Sequence, residues 1–161
     1  MSDRRPLFDV VHKYFADSSW VTTQFVGKPI LRFSHKGKNG QWVCIAHARE
    51  SESRFVFYSI GLAAVPEERR PALALFLTRA NYGLIIGNFE MDLDDGEVRF
   101  KTSIDVEDDR LSTALLRHLV DVNIEMMDKY LPGMQAVVEE GIDPHVAITA
   151  VEGVIEPTYE G

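Results

Sequence analysis

Three features of the sequence predict an α+β fold in which one antiparallel sheet is covered by helices. Between residues 20 and 60, four segments rich in β-branched and aromatic side chains are separated only by short turn-forming stretches. Strands joined that closely pair antiparallel. From Ile85 to Ile104, apolar and polar residues alternate on both sides of Asp94-Asp95-Gly96, which makes a hairpin with one apolar face and one wet face. The stretches near 6–16, 66–80 and 111–131 repeat apolar residues at the three-and-four spacing of helices.

Element by element, Leu7, Val10, Val11, Tyr14 and Phe15 form one stripe of a short helix, and Pro6 sits where a first turn tolerates it. Residues 20–26 and 30–35 read as strands broken at Gly27-Lys28-Pro29. Asn39-Gly40 favours a tight turn of positive φ leading into a strand over 41–49, and Glu50-Ser51-Glu52-Ser53 turns the chain into 54–60. Pro66-Glu67-Glu68 opens a helix whose buried face is Ala72, Leu73, Phe76, Leu77 and Ala80, with Asn81 and Gly83 as its stop. After the 85–104 hairpin, a long helix over 111–131 takes Asp109 or Ser112 as its cap and bends or breaks at Pro132-Gly133. Leu116, Leu119, Val120, Met127, Tyr130 and Leu131 face the sheet, whereas Leu115, Val122 and Met126 fall on another side. A helix apolar on two sides needs a second partner, from its own chain or from another subunit. Gly141 to Ile148 begins a last short helix. The organisation is one domain over 1–152 and a tail over 153–161.

Composition limits the function. The chain has 161 residues, 45% of them hydrophobic and 26% charged, with 17 Lys and Arg against 25 Asp and Glu for a net charge of −8. That excludes a disordered acidic tail and argues against a surface built mainly to track phosphates. Cys44 is the only cysteine, so neither an internal disulfide nor a thiolate zinc site is expected. The first residues lack a signal-peptide pattern and no stretch has the length of a membrane helix, so a cytoplasmic protein without nucleic-acid or membrane partners is expected.

No set of residues has the spacing of a catalytic or metal site. The histidines His12, His35, His47, His118 and His145 contain no helical i, i+4 pair. Asp92 to Glu97 is rich in acids, but its glycine stands fifth where a calcium loop needs it sixth. Cys44 lies among apolar neighbours, and no phosphate loop or serine elbow is present. Neither catalytic residues, a cofactor nor a metal is therefore expected.

Leu77-Thr78-Arg79-Ala80-Asn81-Tyr82, Gly87-Asn88-Phe89-Glu90 and Asp95-Gly96-Glu97-Val98-Arg99-Phe100-Lys101, in that order, resemble the YbjN-domain family of bacterial proteins over about residues 7–150. The family carries the label of sensory transduction regulators, and its fold is similar to type III secretion chaperones. The resemblance implies a small, often dimeric protein that binds another polypeptide without chemistry. The expected binding or dimer surface is Leu115, Val122, Met126 and Met134 on the long helix. The competing expectation is a small-molecule or enzymatic pocket between sheet and helices around His47, Tyr58 and Arg79; a third is a structural subunit of a larger assembly.

Overall fold

The computed structural model describes residues 6–62 and 64–153. Among them the chain runs α1 (Leu7–Ala16), β1 (Thr23–Gln24), β2 (Ile30–Lys36), β3 (Gln41–Arg49), β4 (Arg54–Leu62), α2 (Arg70–Asn81), β5 (Asn88–Met91), β6 (Val98–Asp105), α3 (Thr113–Glu139) and α4 (Pro144–Glu152). Single 3-10 turns occupy Glu50–Glu52 and Glu67–Arg69. The fold is α+β, in the expected element order. Most of the expected tail, residues 154–161, lies outside the described residues.

The strands make one antiparallel sheet ordered β1-β2-β3-β4-β6-β5. β2, β3 and β4 are consecutive neighbours, but β6 takes the place beside β4, with Phe57 opposite Thr102 and Phe55 opposite Ile104. The chain therefore passes through α2, lays β5 at the edge, and returns in β6 to fill the gap. Leu31, Phe33, Trp42, Cys44, Phe55, Phe57, Phe89 and Phe100 line the covered face and are buried. Phe15 of α1 packs on Phe33 and Phe57, with ring centroids 5.3 and 6.1 Å away. Each such side chain stabilises by about 1.5–3 kcal/mol relative to exposure.

α3 crosses this face and is registered by one buried polar residue. The Asn123 amide donates to the carbonyls of Phe57 (3.0 Å) and Phe100 (3.1 Å) and to Thr102 Oγ1 (3.1 Å), tying the helix to β4 and β6. Ser112 is the N-cap, its Oγ accepting from the Leu115 amide. The expected break at Pro132-Gly133 does not occur, and the helix continues to Glu139. Proline at 132 removes the N–H that would bond the carbonyl of Asp128. That carbonyl instead accepts from Asn39 Nδ2 at 2.9 Å, while the Asp128 carboxylate accepts the backbone amides of Lys38 (3.0 Å) and Asn39 (2.8 Å). The β2–β3 turn thus replaces the missing helix donor. The same contacts explain why Asn39-Gly40 does not use positive φ: the turn is closed by the Gly37 amide on the Gly40 carbonyl (2.8 Å) and held by α3.

Two strands are shorter than expected. Of residues 20–26 only Thr23–Gln24 pair, because Trp20 turns inward onto Phe33 and His35 while Val21 and Val26 point into solvent. Ile85 and Leu93, expected on the apolar face of a strand, flank the short β5 and are exposed. The motif residues of the 77–101 region join α2 to the β5–β6 hairpin. Asn81 ends α2 and its side chain pairs with both backbone groups of Phe89, accepting the N–H at 2.7 Å and donating to the C=O at 3.1 Å. Gly96, at φ 81°, lies where a Cβ would come within 2.4 Å of the Val65 carbonyl. Arg70 completes the junction by donating to the carbonyls of Val65 and Leu93, both at 2.9 Å.

Candidate functional site

All four helices pack on one side of the sheet, so among the described residues no element covers the other side. Strand alternation puts Ile30, Arg32, Ser34 and Lys36 of β2 on this outer face. Val43, Ile45 and His47 of β3 and Val56, Tyr58 and Ile60 of β4 form its centre. Cross-strand register builds one row from Arg32 through Ile45 and Tyr58 to Lys101, and the next from Ser34 through Val43 and Ile60 to Arg99. None of the central aliphatic side chains belongs to the core cluster under the helices.

The apolar strip is bordered by charge. Arg99 lies over the Tyr58 ring, 4.3 Å from its centroid, and donates through Nε to Glu90 at 3.0 Å. Lys101 donates to the other oxygen of Glu90, also at 3.0 Å. At the strand ends Arg49 pairs with Glu52, and Arg54 bridges Asp105 at 3.1 Å. Among the described residues Arg32 and Lys36 make no ion pair. Burial and the neighbouring Arg49 lower the His47 pKa, with Glu52 opposing.

The helix residues expected to form a surface separate into two groups. Met134 is fully buried, and this corrects its assignment to an accessible face: α2 and α4 pack on the C-terminal half of α3 and supply its second partner from the same chain. Leu115 is 39% exposed, and Val122 and Met126 are half-buried, so these three remain on the flank of α3.

The competing pocket around His47, Tyr58 and Arg79 is not assembled. His47 and Tyr58 lie on the outer face, whereas Arg79 projects from α2 on the helical side. A cleft of about 480 Å³ lies elsewhere, between α1 and the start of α3, lined by Asp9, Lys13, Tyr14 and Arg117 among others. His35 and His47 occupy opposite faces, His35 accepting from Trp20 Nε1 at 3.1 Å. Cys44 is buried beside Ser59, and burial pushes its thiol pKa up to about 12, which suppresses the reactive thiolate. Asp92 and Asp95 spend carboxylate oxygens on the amides of Asp94 (2.9 Å) and Glu97 (2.8 Å), stiffening the hairpin tip. The described residues hold no group of three His, Cys, Asp or Glu with metal-binding geometry. No described helix is long and apolar enough to cross a membrane.

Sequence reasoning missed the outer face, although it left a signal. In 42–46 and 55–60 both alternating sets are apolar, with Trp42, Cys44, Phe55 and Phe57 on one side and Val43, Ile45, Val56, Tyr58 and Ile60 on the other. A sheet covered on one side needs only the first set.

These features define a one-sheet α+β domain with helices on a single side and an apolar outer face. The sequence matches the YbjN family model, described as "Putative bacterial sensory transduction regulator", over residues 8–136, and the chain belongs to that family. By that description the family is one of regulators. No curated protein matches the sequence. Among solved structures, YbjN from E. coli, described as "a putative transcription regulator", is 12% identical and superposes with a TM-score of 0.60, covering 83% of this chain and 92% of that one. A chain of the HopA1-SchA chaperone-effector complex is 13% identical with a TM-score of 0.48, covering 79% of this chain and 91% of that one.

Proposed function

We propose that this YbjN-family protein is a non-enzymatic binding module, regulatory or chaperone-like, that holds another polypeptide on the outer face of its sheet. The observation that carries the reading is the apolar strip Val43, Ile45, Val56, Tyr58 and Ile60, outside the cluster under the helices, in which Val56 is buried and the other four are half-buried. Covering the part of Val43, Ile45, Tyr58 and Ile60 that still meets water gains about 25 cal/mol per Å² of apolar surface, a driving force available to a partner. The Leu115, Val122 and Met126 flank of α3 is the proposed homodimer contact, separate from the outer face.

The test is capture of the tagged full chain from its native host, beside an Ile45→Lys variant with an unchanged urea midpoint. A stoichiometric companion held by the parent and lost by the variant supports the reading; equal retention by both sinks it. Sedimentation at micromolar concentration checks the dimer, which Leu115→Lys should dissociate. A parent that sediments as a monomer removes the homodimer.

A further inference from the structure

The β2–β3 turn carries a reactive dipeptide, Asn39-Gly40, at the point where it holds α3. We propose that Asn39 is a site of non-enzymatic deamidation, and that its conversion to aspartate or isoaspartate loosens the tie that carries α3 past Pro132. This modification site is independent of the polypeptide-binding reading.

The step uses only the chain and water. The Gly40 backbone nitrogen attacks Cγ of Asn39 and closes a five-membered imide. The Cγ–Nδ2 bond breaks, and the side-chain nitrogen leaves as ammonia with the proton that Gly40 gave up. Water then opens the imide at either carbonyl, so NH₂ is exchanged for OH and the main chain runs through either the α- or the β-carbon. Glycine favours the attack because it has no Cβ to crowd its nitrogen and turns freely.

The structure leaves this nitrogen available. Asn39 is exposed and Gly40 half-buried. The amides of Lys38 and Asn39 are taken by the Asp128 carboxylate, and that of Gly37 by the Gly40 carbonyl. Among the described residues the Gly40 amide donates to no protein group. Asp95-Gly96, able to cyclise in the same way, differs there: its glycine amide is bound to the Asp92 carbonyl at 2.8 Å. The other asparagines, Asn81, Asn88 and Asn123, precede Tyr82, Phe89 and Ile124, whose side chains crowd the nitrogen. The bond from Asn39 Nδ2 to the Asp128 carbonyl restrains the carboxamide, so the folded chain converts more slowly than the unfolded one.

The product cannot keep the tie. Nδ2 stands 2.9 Å from the Asp128 carbonyl, and an oxygen in its place is an acceptor facing an acceptor. The new carboxylate also lies beside the Asp128 carboxylate, a like charge. Isoaspartate adds a main-chain carbon to a turn with no slack. A Cβ on Gly40 would come within 2.6 Å of Leu131 Cδ2, and one on Gly37 within 2.5 Å of Asp128 Oδ1, so the longer turn is pushed off α3.

The full chain is aged at mildly alkaline pH and physiological temperature beside a urea-unfolded sample, and its peptides are sequenced by mass spectrometry with fragmentation that separates isoaspartate from aspartate. The modified fraction, isolated by anion exchange on its extra negative charge, is compared with the parent by hydrogen exchange. Asn39 is expected to convert while Asn81, Asn88 and Asn123 persist in the folded chain. Amides of residues 128–136 should exchange about threefold to tenfold faster in the modified fraction and in Asn39→Asp, the loss of one hydrogen bond. In Pro132→Ala, whose helix has its own N–H at that position, the acceleration should shrink although Asn39 still converts. An Asn39 that survives folded while the unfolded sample converts fully overturns the site. Unchanged exchange in both the modified fraction and Asn39→Asp, or equal acceleration in Pro132→Ala, overturns its effect on α3.

Discussion

The continuity of α3 through Pro132 predicts a measurable coupling between residues 93 positions apart in sequence. In Asn39→Ala the Asp128 carbonyl loses the Nδ2–H donor at 2.9 Å and has no helix amide to replace it. Asn39 does not adopt positive φ and its backbone amide keeps the Asp128 carboxylate, so the substitution removes one hydrogen bond without backbone strain. One such bond is worth about 0.5–1.5 kcal/mol, and water reaches this exposed turn, so about 1 kcal/mol is expected, or about 2–4 °C in Tm. Pro132→Ala restores an N–H at position 132 aimed at the same carbonyl. In that background Asn39→Ala should cost no more than about 0.3 kcal/mol, giving a coupling of about 0.7 kcal/mol. Urea unfolding of the parent, both single variants and the double variant, followed by tryptophan fluorescence, completes the cycle. An Asn39→Ala cost that is equal in both backgrounds refutes the reasoning, because the amide would then not be standing in for the proline's missing donor.

Gly96→Ala should destabilise by more than about 2 kcal/mol in urea unfolding, because the new methyl meets the Val65 backbone at a positive φ. The His35 pKa is lowered by burial, with Asp128 opposing; the neutral ring accepts the Trp20 bond. The unfolded chain therefore binds this proton at higher pH than the folded one, so the associated stability is present above about pH 6.5 and is lost as pH falls toward the folded-state pKa. His35→Gln should flatten this part of the pH–stability profile while leaving the similarly signed contribution of His47, and an unchanged profile would contradict the assignment. Met134→Lys should abolish cooperative folding by burying an unpaired charge, whereas Leu115→Lys, at a half-exposed position, should keep a cooperative transition; circular dichroism melts distinguish the two.

Part of the proposed binding surface was readable from periodicity and part was not. Leu115, Val122 and Met126 differ from the core-facing residues of α3 by their angle around the helix, which spacing reveals directly. Met134 does not share their angle: it lies five helical turns past Leu116, on the core-facing stripe, where α2 and α4 cover it. The outer strip was legible only as a surplus of apolar residues on both parities of β3 and β4, and its charged border needs the register of four strands. His47, Tyr58 and Arg79 show the converse: their residue types suit a pocket, yet strand parity and helix placement put them on opposite sides of the sheet.

By itself the sequence determined the α+β class, the order of elements and the family, because backbone period and turn chemistry are local properties that neighbouring residues encode. Only the tertiary structure decided that β6 lies between β4 and β5, that a hairpin amide carries α3 past Pro132, and that Asn81 pairs with Phe89. Those outcomes depend on which satisfied surfaces meet. A repeating pattern states which side chains share a face, but not what that face will touch.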